Sequence, residues 1–177
     1  MEIWDYIRQD PVIGAKALMD GYKVRLFKTA FRLCSNAATA EDLTARTIVQ
    51  AVKCIDQFDE TVSFLGWLCT ILANFHRMDL RRKGANAVTF MDELPETVDM
   101  SPDPAETLET KTDAAAIRMA VARLSPALRE AVVLRYFDEL PEAEIAAALD
   151  TTVGAVKVRL HTARRKLKET LAANLLR

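Results

Sequence analysis

The chain has 177 residues, half of them apolar, with only five Gly and six Pro. That length accommodates one or two domains, and the scarcity of helix-breaking residues favours an all-α fold over a β-sheet. No segment approaches the roughly 20 apolar residues that span a bilayer, and the N-terminus lacks the features of a secretion signal. We therefore expect a cytoplasmic protein with no membrane insertion.

The net charge of −1 conceals an uneven distribution along the chain. Residues 1–83 carry twelve Lys/Arg and ten Asp/Glu, and residues 114–177 carry eleven and seven, whereas residues 84–113 carry eight acids and one base. The acidic stretch also contains three prolines and shows no sustained periodicity. We therefore predict two small helical domains, over 1–83 and 113–177, that are joined by an acidic linker over 84–112 and are free to reorient.

The N-terminal domain is predicted to contain a short helix followed by three longer ones. Apolar residues at three- and four-residue spacing place these helices at about 3–9, 13–34, 39–55 and 63–83. Thr39, with Asp42 three residues later, resembles a capping box at the start of the third helix.

The cysteines and histidines do not form a pattern typical of a metal site or an active site. Cys34, Cys54 and Cys69 are odd in number and lie inside helical patterns, as reduced core thiols do. His76 and His161 have no carboxylate or thiol partner at ligand spacing in the sequence, and no glycine-rich phosphate loop is present. We expect no catalytic activity, no metal and no small-molecule cofactor.

The C-terminal domain has the pattern of a helix-turn-helix. Ser125 and Pro126 supply an N-cap and a proline at the first helical position. Helices are predicted over about 113–123, 126–137, 141–149 and 153–171. Residues 150–152 form a tight turn between the last two helices, with Thr152 as the N-cap of the last one, and this is the helix-turn-helix arrangement.

The last predicted helix has an apolar face and a basic face. Its inward stripe comprises Val153, Val156, Leu160, Ala163 and Leu167. Lys157, His161 and Arg164 fall on the opposite face, where the first half of the helix can enter a major groove and the later cations can neutralise phosphates. The turn and the spacing together favour duplex DNA binding over a merely solvated basic helix.

Aromatic residues among amides and cations distinguish the N-terminal domain. Phe58, Phe64, Trp67 and Phe75 lie close in sequence to such polar residues, and aromatic rings can stack on unpaired bases. The alternative is that these rings belong to the hydrophobic core, and composition alone favours that alternative.

Two sets of stretches carry a specific resemblance to a known family. The first set comprises 124–137, 144–146 and 153–161, and the second comprises 40–43, 64–68, 71–74 and 80–82. The first set resembles region 4, and the second resembles region 2, of the extracytoplasmic-function (ECF) sigma factors of bacteria, members of the sigma-70 family. Order, spacing and the two-domain length all agree with the family, and the resemblance covers nearly the whole chain.

The resemblance implies an alternative sigma factor that binds core RNA polymerase and promoter DNA and directs transcription initiation. Region 4 would bind the −35 element as duplex, region 2 would hold the melted −10 element as a single strand, and an anti-sigma factor would be a further partner. Two alternatives stay open: a sigma-like decoy that sequesters an anti-sigma factor, and a stand-alone helix-turn-helix transcription regulator.

Three sets of site residues follow from the resemblance. The implied −35 contacts are Lys157, Arg159, His161, Arg164 and Arg165. The implied −10 contacts are Gln50, Lys53, Cys54, Phe58, Ser63, Asn74, Arg77, Arg81 and Arg82, with Trp67 as a core anchor beside them. The implied polymerase contacts are Glu41, Asp42 and Leu43.

Several positions depart from the family pattern, among them Val158 and Thr162, which lie where relatives often carry Ser and Arg. Arg46 replaces an acid on the implied polymerase surface, where it could alter the affinity for polymerase. Asp150 stands at a turn position that is usually Gly, and Asp tolerates a left-handed conformation better than most residues.

Overall fold

The computed structural model describes residues 2–84 and 108–175, and every regular element in these ranges is helical. The helices are α1 (Ile3–Gln9), α2 (Pro11–Cys34), α3 (Ala37–Lys53), α4 (Phe64–Lys83), α5 (Leu108–Ala122), α6 (Pro126–Val132), α7 (Glu142–Ala148) and α8 (Val153–Leu175). A 3₁₀ turn at Ile55–Gln57 follows α3, and a π-helical turn at Val133–Phe137 continues α6. The predicted all-α class is confirmed.

The predicted linker lies mostly outside the described residues, since 85–107 are not among them. At its C-terminal end the structure differs from the prediction, because α5 begins at Leu108 rather than near residue 113. The predicted domain boundaries otherwise stay predictions. No helix in the described ranges is both long enough and apolar enough to cross a membrane.

The start of α2 shows how the sequence specifies a helix boundary. The Asp10 carboxylate accepts hydrogen bonds from the backbone N–H groups of Val12 at 2.8 Å and Ile13 at 3.2 Å, and Pro11 occupies the first helical position. One turn later, Gly14 packs directly on the backbone of Ile7, where a Cβ atom would overlap it. Glycine therefore allows α1 to lie against α2.

The capping box predicted at Thr39 is wrong. Ser35 ends α2 in a left-handed conformation (φ 53°), which leaves Asn36 as the first extended residue. The Asn36 side chain accepts from the Thr39 backbone N–H at 2.8 Å, so Asn36 is the cap and α3 begins at Ala37. Asn is as good an N-cap as any residue, and it lies three positions closer to the end of α2.

The helix-turn-helix is formed by α7, a short turn and α8. Thr152 caps α8 by accepting a hydrogen bond from the Ala155 backbone N–H at 3.1 Å. Asp150 adopts a left-handed conformation with φ 48°, as its position in the turn predicts. Gly154, by contrast, is exposed and has no close neighbour that would require glycine.

The two halves of the described chain pack directly against each other. Buried apolar side chains form one continuous cluster that extends from Ile7 in α1 to Ala163 in α8. Helix α4 contacts α7, and α2 contacts both the π-helical turn and α6. The halves are docked in this arrangement, and the expectation that they are free to reorient stays a prediction.

Candidate nucleic-acid interface

The basic face of α8 is open to solvent. Lys157, His161, Arg164 and Arg165 are all exposed, while Val156, Leu160 and Ala163 are buried on the other side of the helix. Val153 is 39 % exposed and does not belong to the buried stripe. The ammonium of Lys157 lies 3.7 Å from the Glu142 carboxylate, a surface pair that leaves the Lys157 side chain 64 % exposed. A surface pair of this kind contributes little energy and does not prevent contact with DNA.

Arg159 does not share this face. It lies two residues, about 200° of helix rotation, from Lys157 and is partly buried. Its side chain lines a cleft of about 470 Å³ between the two halves, together with Arg77 and Arg81 of α4. The structure thus separates Arg159 from the other four implied −35 contacts.

Three implied −10 contacts lie at the end of α3. The Gln50 side-chain amide donates a hydrogen bond to Cys54 Sγ at 2.8 Å, and both residues are partly exposed. Lys53 is exposed beside them. Cys34 and Cys69 are buried free thiols, as predicted, and burial raises the pKa of both. Cys54 is the exception, because part of it reaches the surface.

Four more implied −10 contacts lie on α4, and one of them is engaged by the other half of the chain. The Arg77 guanidinium donates to the Asn74 side-chain oxygen at 2.7 Å and also to the backbone carbonyls of Ala148 at 2.9 Å and Leu149 at 2.7 Å. Arg81 and Arg82 are exposed near the end of the helix.

Ser63, which caps α4, also forms hydrogen bonds with the other half of the chain. Its hydroxyl and its backbone N–H both donate to the carboxylate of Glu144 in α7, the N–H at 3.4 Å. The hydroxyl oxygen also accepts from the Gly66 N–H at 3.0 Å as the helix cap. The Glu144 carboxylate and the Ser63 hydroxyl lie nearest to Gly66, so an added Cβ there would require these side chains to shift.

Phe58 is not available as a stacking platform. It is 5 % exposed and packs in an aromatic cluster with Trp4, Phe64 and Trp67, with ring centroids 5.1–5.6 Å apart. In this arrangement the Phe58 ring belongs to the core and offers no open face to a base, and the implied DNA contact at Phe58 stays a prediction. The sequence did not reveal that α1 supplies Trp4 to cover the ring.

The three implied polymerase contacts also differ in their exposure to solvent. Glu41 and Asp42 are exposed, but Leu43 is completely buried and cannot contact a partner in this structure. Its position on α3 faces the core, which the helical spacing of the apolar residues already indicated.

Arg46 is a bridge between helices rather than a free surface cation. It donates to Asp42 at 2.9 Å and to Asp79 of α4 at 2.8 Å, and its guanidinium lies 4.4 Å from the centre of the Phe75 ring. These two carboxylates, Asp79 first, raise its pKa. The replacement of an acid by Arg46 therefore links α3 to α4.

A set of buried polar contacts joins the two halves, and the sequence alone did not predict it. Nδ1 of His76 lies 3.1 Å from the Glu130 carboxylate, although no partner for this histidine was evident in the sequence. The Thr29 hydroxyl lies 2.8 Å from the Asp138 carboxylate, and the Arg25 guanidinium donates to the Asp138 carbonyl at 3.0 Å. Sequence separations of 54 to 113 residues explain why no local pattern revealed these pairs.

Burial has a strong electrostatic effect at Asp138. Its carboxyl is 2 % exposed, and burial raises its pKa to about 6 even though Thr29 and Arg25 favour the ionised form. Beside it, the Arg32 guanidinium lies 4.2 Å from the centre of the Phe137 ring, and burial lowers its pKa.

Comparisons with known proteins agree with this architecture. A family model described as "Sigma-70 region 2" matches residues 18–86, and one described as "Sigma-70, region 4" matches residues 114–167. The ECF RNA polymerase sigma factor SigL of Mycobacterium tuberculosis is 32 % identical over 159 residues, which are 88 % of each chain. SigE of Mycolicibacterium smegmatis is 32 % identical over 152 residues, 84 % of this chain but only 58 % of the longer relative.

A solved structure shows the same fold. The sigma factor RpoE of Bartonella quintana, solved with the anti-sigma factor NepR, superposes with a TM-score of 0.70 at 26 % identity, over 89 % of this chain and 96 % of that one. The order of the two matched regions and the shared fold define a DNA-binding transcription initiation factor of the sigma-70 class. Within that class, the chain belongs to the ECF RNA polymerase sigma factors. It is an alternative sigma factor, which directs promoter recognition and transcription initiation.

Proposed function

We propose that this sigma factor binds the −35 element through the exposed face of α8 and holds the melted −10 strand on α3 and α4, without catalysing a reaction itself. The observation that carries the proposal is the open basic face of a capped helix in a helix-turn-helix. Lys157 and His161 lie in its first half and are assigned to base edges, and Arg164 and Arg165 to phosphates.

On the N-terminal half, the −10 strand would contact the polar residues that reach the surface. These are Gln50, Lys53, Cys54, Ser63, Asn74, Arg77, Arg81 and Arg82. The buried Phe58 supports the neighbouring surface from below and does not itself contact the strand.

Core RNA polymerase is the principal partner, with Glu41 and Asp42 as exposed candidates on α3. An anti-sigma factor is a second partner, and the likeness to a sigma factor solved with one supports this. RNA polymerase acts in the cytoplasm, so this is the proposed location.

The test is transcription of genomic DNA fragments by core polymerase with and without the purified chain. We expect a discrete set of new transcripts, whose upstream sequences define the two promoter elements. Lys157→Ala should weaken binding to the −35 duplex by about 1–3 kcal/mol and relax the sequence preference.

Lys16→Ala is a matched control, because Lys16 is an exposed lysine on α2 far from α8 in sequence. Its transcripts should equal those of the unmodified chain. Equal loss of affinity on every duplex would reassign Lys157 to a phosphate contact, and a chain that yields no new transcripts would contradict the proposed function.

A further inference from the structure

Helix α8 carries one apolar side chain in the middle of its solvent-facing surface. Val158 is 65 % exposed, whereas Val153, the other exposed valine described on this helix, is 39 % exposed. Val158 lies two residues from Val156 and two from Leu160, which is about 200° of helix rotation in either direction. Both Val156 and Leu160 are buried in the core. Val158 therefore points directly away from the protein.

The helix surface one turn before Val158 bears no side chain. Gly154 is exposed, and the nearest atom to a Cβ placed there would be Thr152 Oγ1 at 3.8 Å. No contact in the described part of the chain thus requires glycine here, although glycine weakens a helix relative to alanine. Side chains on a helix lean toward its N-terminus, so Val158 extends over this bare turn. Its two γ-methyl groups are open to a partner that approaches α8.

Cations surround this small apolar surface. Lys157 and His161 are exposed on either side of it, and Arg165 is exposed two turns further along the same face. Such a cationic rim attracts the phosphates of a nucleic acid. The valine at its centre can neither donate nor accept a hydrogen bond. The partner that fits this face is a polyanion that presents an apolar group between its charged strands.

The major groove of DNA contains one apolar group, the 5-methyl group of thymine. The edges of guanine, adenine and cytosine present hydrogen-bond donors and acceptors there, and thymine adds its methyl group to a single acceptor. A polar edge placed against Val158 would lose its hydrogen bonds with water and gain none from the protein. The methyl group loses no hydrogen bond in the same place. Both effects favour thymine opposite Val158.

From this arrangement we infer that Val158 is a specificity-determining residue, which contacts the 5-methyl group of one thymine in the −35 element. The inference rests on the proposed function, because it requires α8 to lie in the major groove of that element. It adds a base preference that hydrogen bonds from Lys157 and His161 do not supply. At this position the chain selects a base by apolar contact.

The test uses holoenzyme, formed from the full-length chain and core polymerase, on the strongest promoter found in the transcription experiment above. Synthetic copies of this promoter carry 2′-deoxyuridine in place of thymidine, one position at a time, in the upstream element. Uridine pairs like thymidine and lacks only the 5-methyl group. At one position the replacement should weaken binding about three- to fivefold, because one methyl group is no longer buried. Competition against the labelled thymidine promoter measures the change.

Val158→Ala removes both γ-methyl groups and adds no polar atom. Because Val158 is exposed, the variant should fold as the unmodified chain does, and circular dichroism checks this. Its holoenzyme should bind the thymidine promoter about three- to fivefold more weakly, since the same contact is lost from the protein side. Uridine at the sensitive position should then weaken binding by less than about twofold, because two changes that remove one contact do not add.

Val24→Ala is the matched control, since Val24 is also an exposed valine on a helix, 61 % exposed on α2. Holoenzyme with this variant should bind the thymidine promoter as the unmodified holoenzyme does. It should also lose the same three- to fivefold affinity, to about the same factor, at the sensitive uridine position.

The outcomes distinguish the role of Val158 from the proposed function. An upstream element in which no thymidine is sensitive to uridine, while Lys157→Ala still weakens binding, overturns the inference and leaves the proposed function standing. A uridine effect of full size in the Val158→Ala holoenzyme also overturns it, because another group then contacts the methyl. If neither Lys157→Ala nor Val158→Ala changes binding, α8 does not contact the −35 element, and the proposed function fails together with the inference.

Discussion

At the residue scale, Asp138 shows how tertiary structure changes the chemistry of an ordinary side chain. In the sequence it is one acid of a turn, but in the structure it is buried against Thr29 and Arg25 of α2. The single proton of the Thr29 hydroxyl has two acceptors within reach, the Arg25 carbonyl at 3.1 Å and the Asp138 carboxylate at 2.8 Å. A protonated Asp138 relieves this competition, because it can donate to Thr29.

The pKa of Asp138 gives a prediction about pH. In the folded chain this pKa is about 6 instead of 3.8, so the folded state binds the proton more tightly than the unfolded state does. The resulting stabilisation is present at acidic pH and is lost as pH rises through about 6. The side chain that Asp138→Asn introduces is neutral at every pH, so the stability of this variant should not fall as the pH rises through 6. We expect the free energy of unfolding of the variant, relative to the unmodified chain, to increase by roughly 1–3 kcal/mol between pH 4 and pH 8.

Urea denaturation across that pH range measures the difference. Glu139→Gln is the control, because it removes the same charge from the neighbouring exposed residue. A difference between Asp138→Asn and the unmodified chain that does not change with pH would show that burial does not destabilise the ionised carboxylate.

At the element scale, the sequence predicted most helices because their signals are local. Caps such as Thr152, the proline at the start of α6 and the spacing of apolar residues act within a few positions. The π-helical turn at Val133–Phe137 was not predicted, since its apolar pattern is that of an ordinary helix. This turn ends α6 with an Asp138 N–H bonded to the Val133 carbonyl at 3.2 Å, in the segment that meets α2.

The difference between local and long-range determinants also explains which features of the site could be predicted. The outward face of α8 was predicted correctly from helical periodicity, whereas Arg159 faces a cleft that exists only because the two halves dock. Likewise, Phe58 and Leu43 were assigned as contacts because they match positions of the family motifs. The burial of Phe58 depends on Trp4, and the burial of Leu43 depends on the packing of α3 against its neighbours. Contacts between elements that are far apart in the sequence could not be derived from the sequence of any one element.

The turn of the helix-turn-helix supports a prediction at this scale. Asp150 has φ 48°, a conformation that glycine adopts without steric cost and alanine does not. Asp150→Ala should lower the free energy of unfolding by about 1 kcal/mol, and Asp150→Gly should leave it equal or raise it by a few tenths. Thermal denaturation of both variants checks the order, and an alanine variant as stable as the glycine variant would contradict the left-handed turn.

At the scale of the whole molecule, the two predicted domains lie docked against each other in this structure. The apolar core continues from α1 to α8, and buried polar pairs cross between the halves. For a sigma factor, this docking sets how the two proposed promoter-binding surfaces lie relative to each other in this structure.

Coupling of the halves predicts a single unfolding transition, and the chain carries suitable probes. Both tryptophans, Trp4 and Trp67, lie in the N-terminal half, whereas the far-ultraviolet circular dichroism signal reports on helices in both halves. Cooperative unfolding requires that tryptophan fluorescence and circular dichroism give the same midpoint in urea.

Thr29→Val, which removes one buried contact between the halves, should separate the two midpoints. Val24→Thr, a substitution of similar size at an exposed position of the same helix, should leave them together. Two distinct midpoints in the unmodified chain would show that the halves unfold independently, and the docking of the halves would then contribute little to the stability of either one.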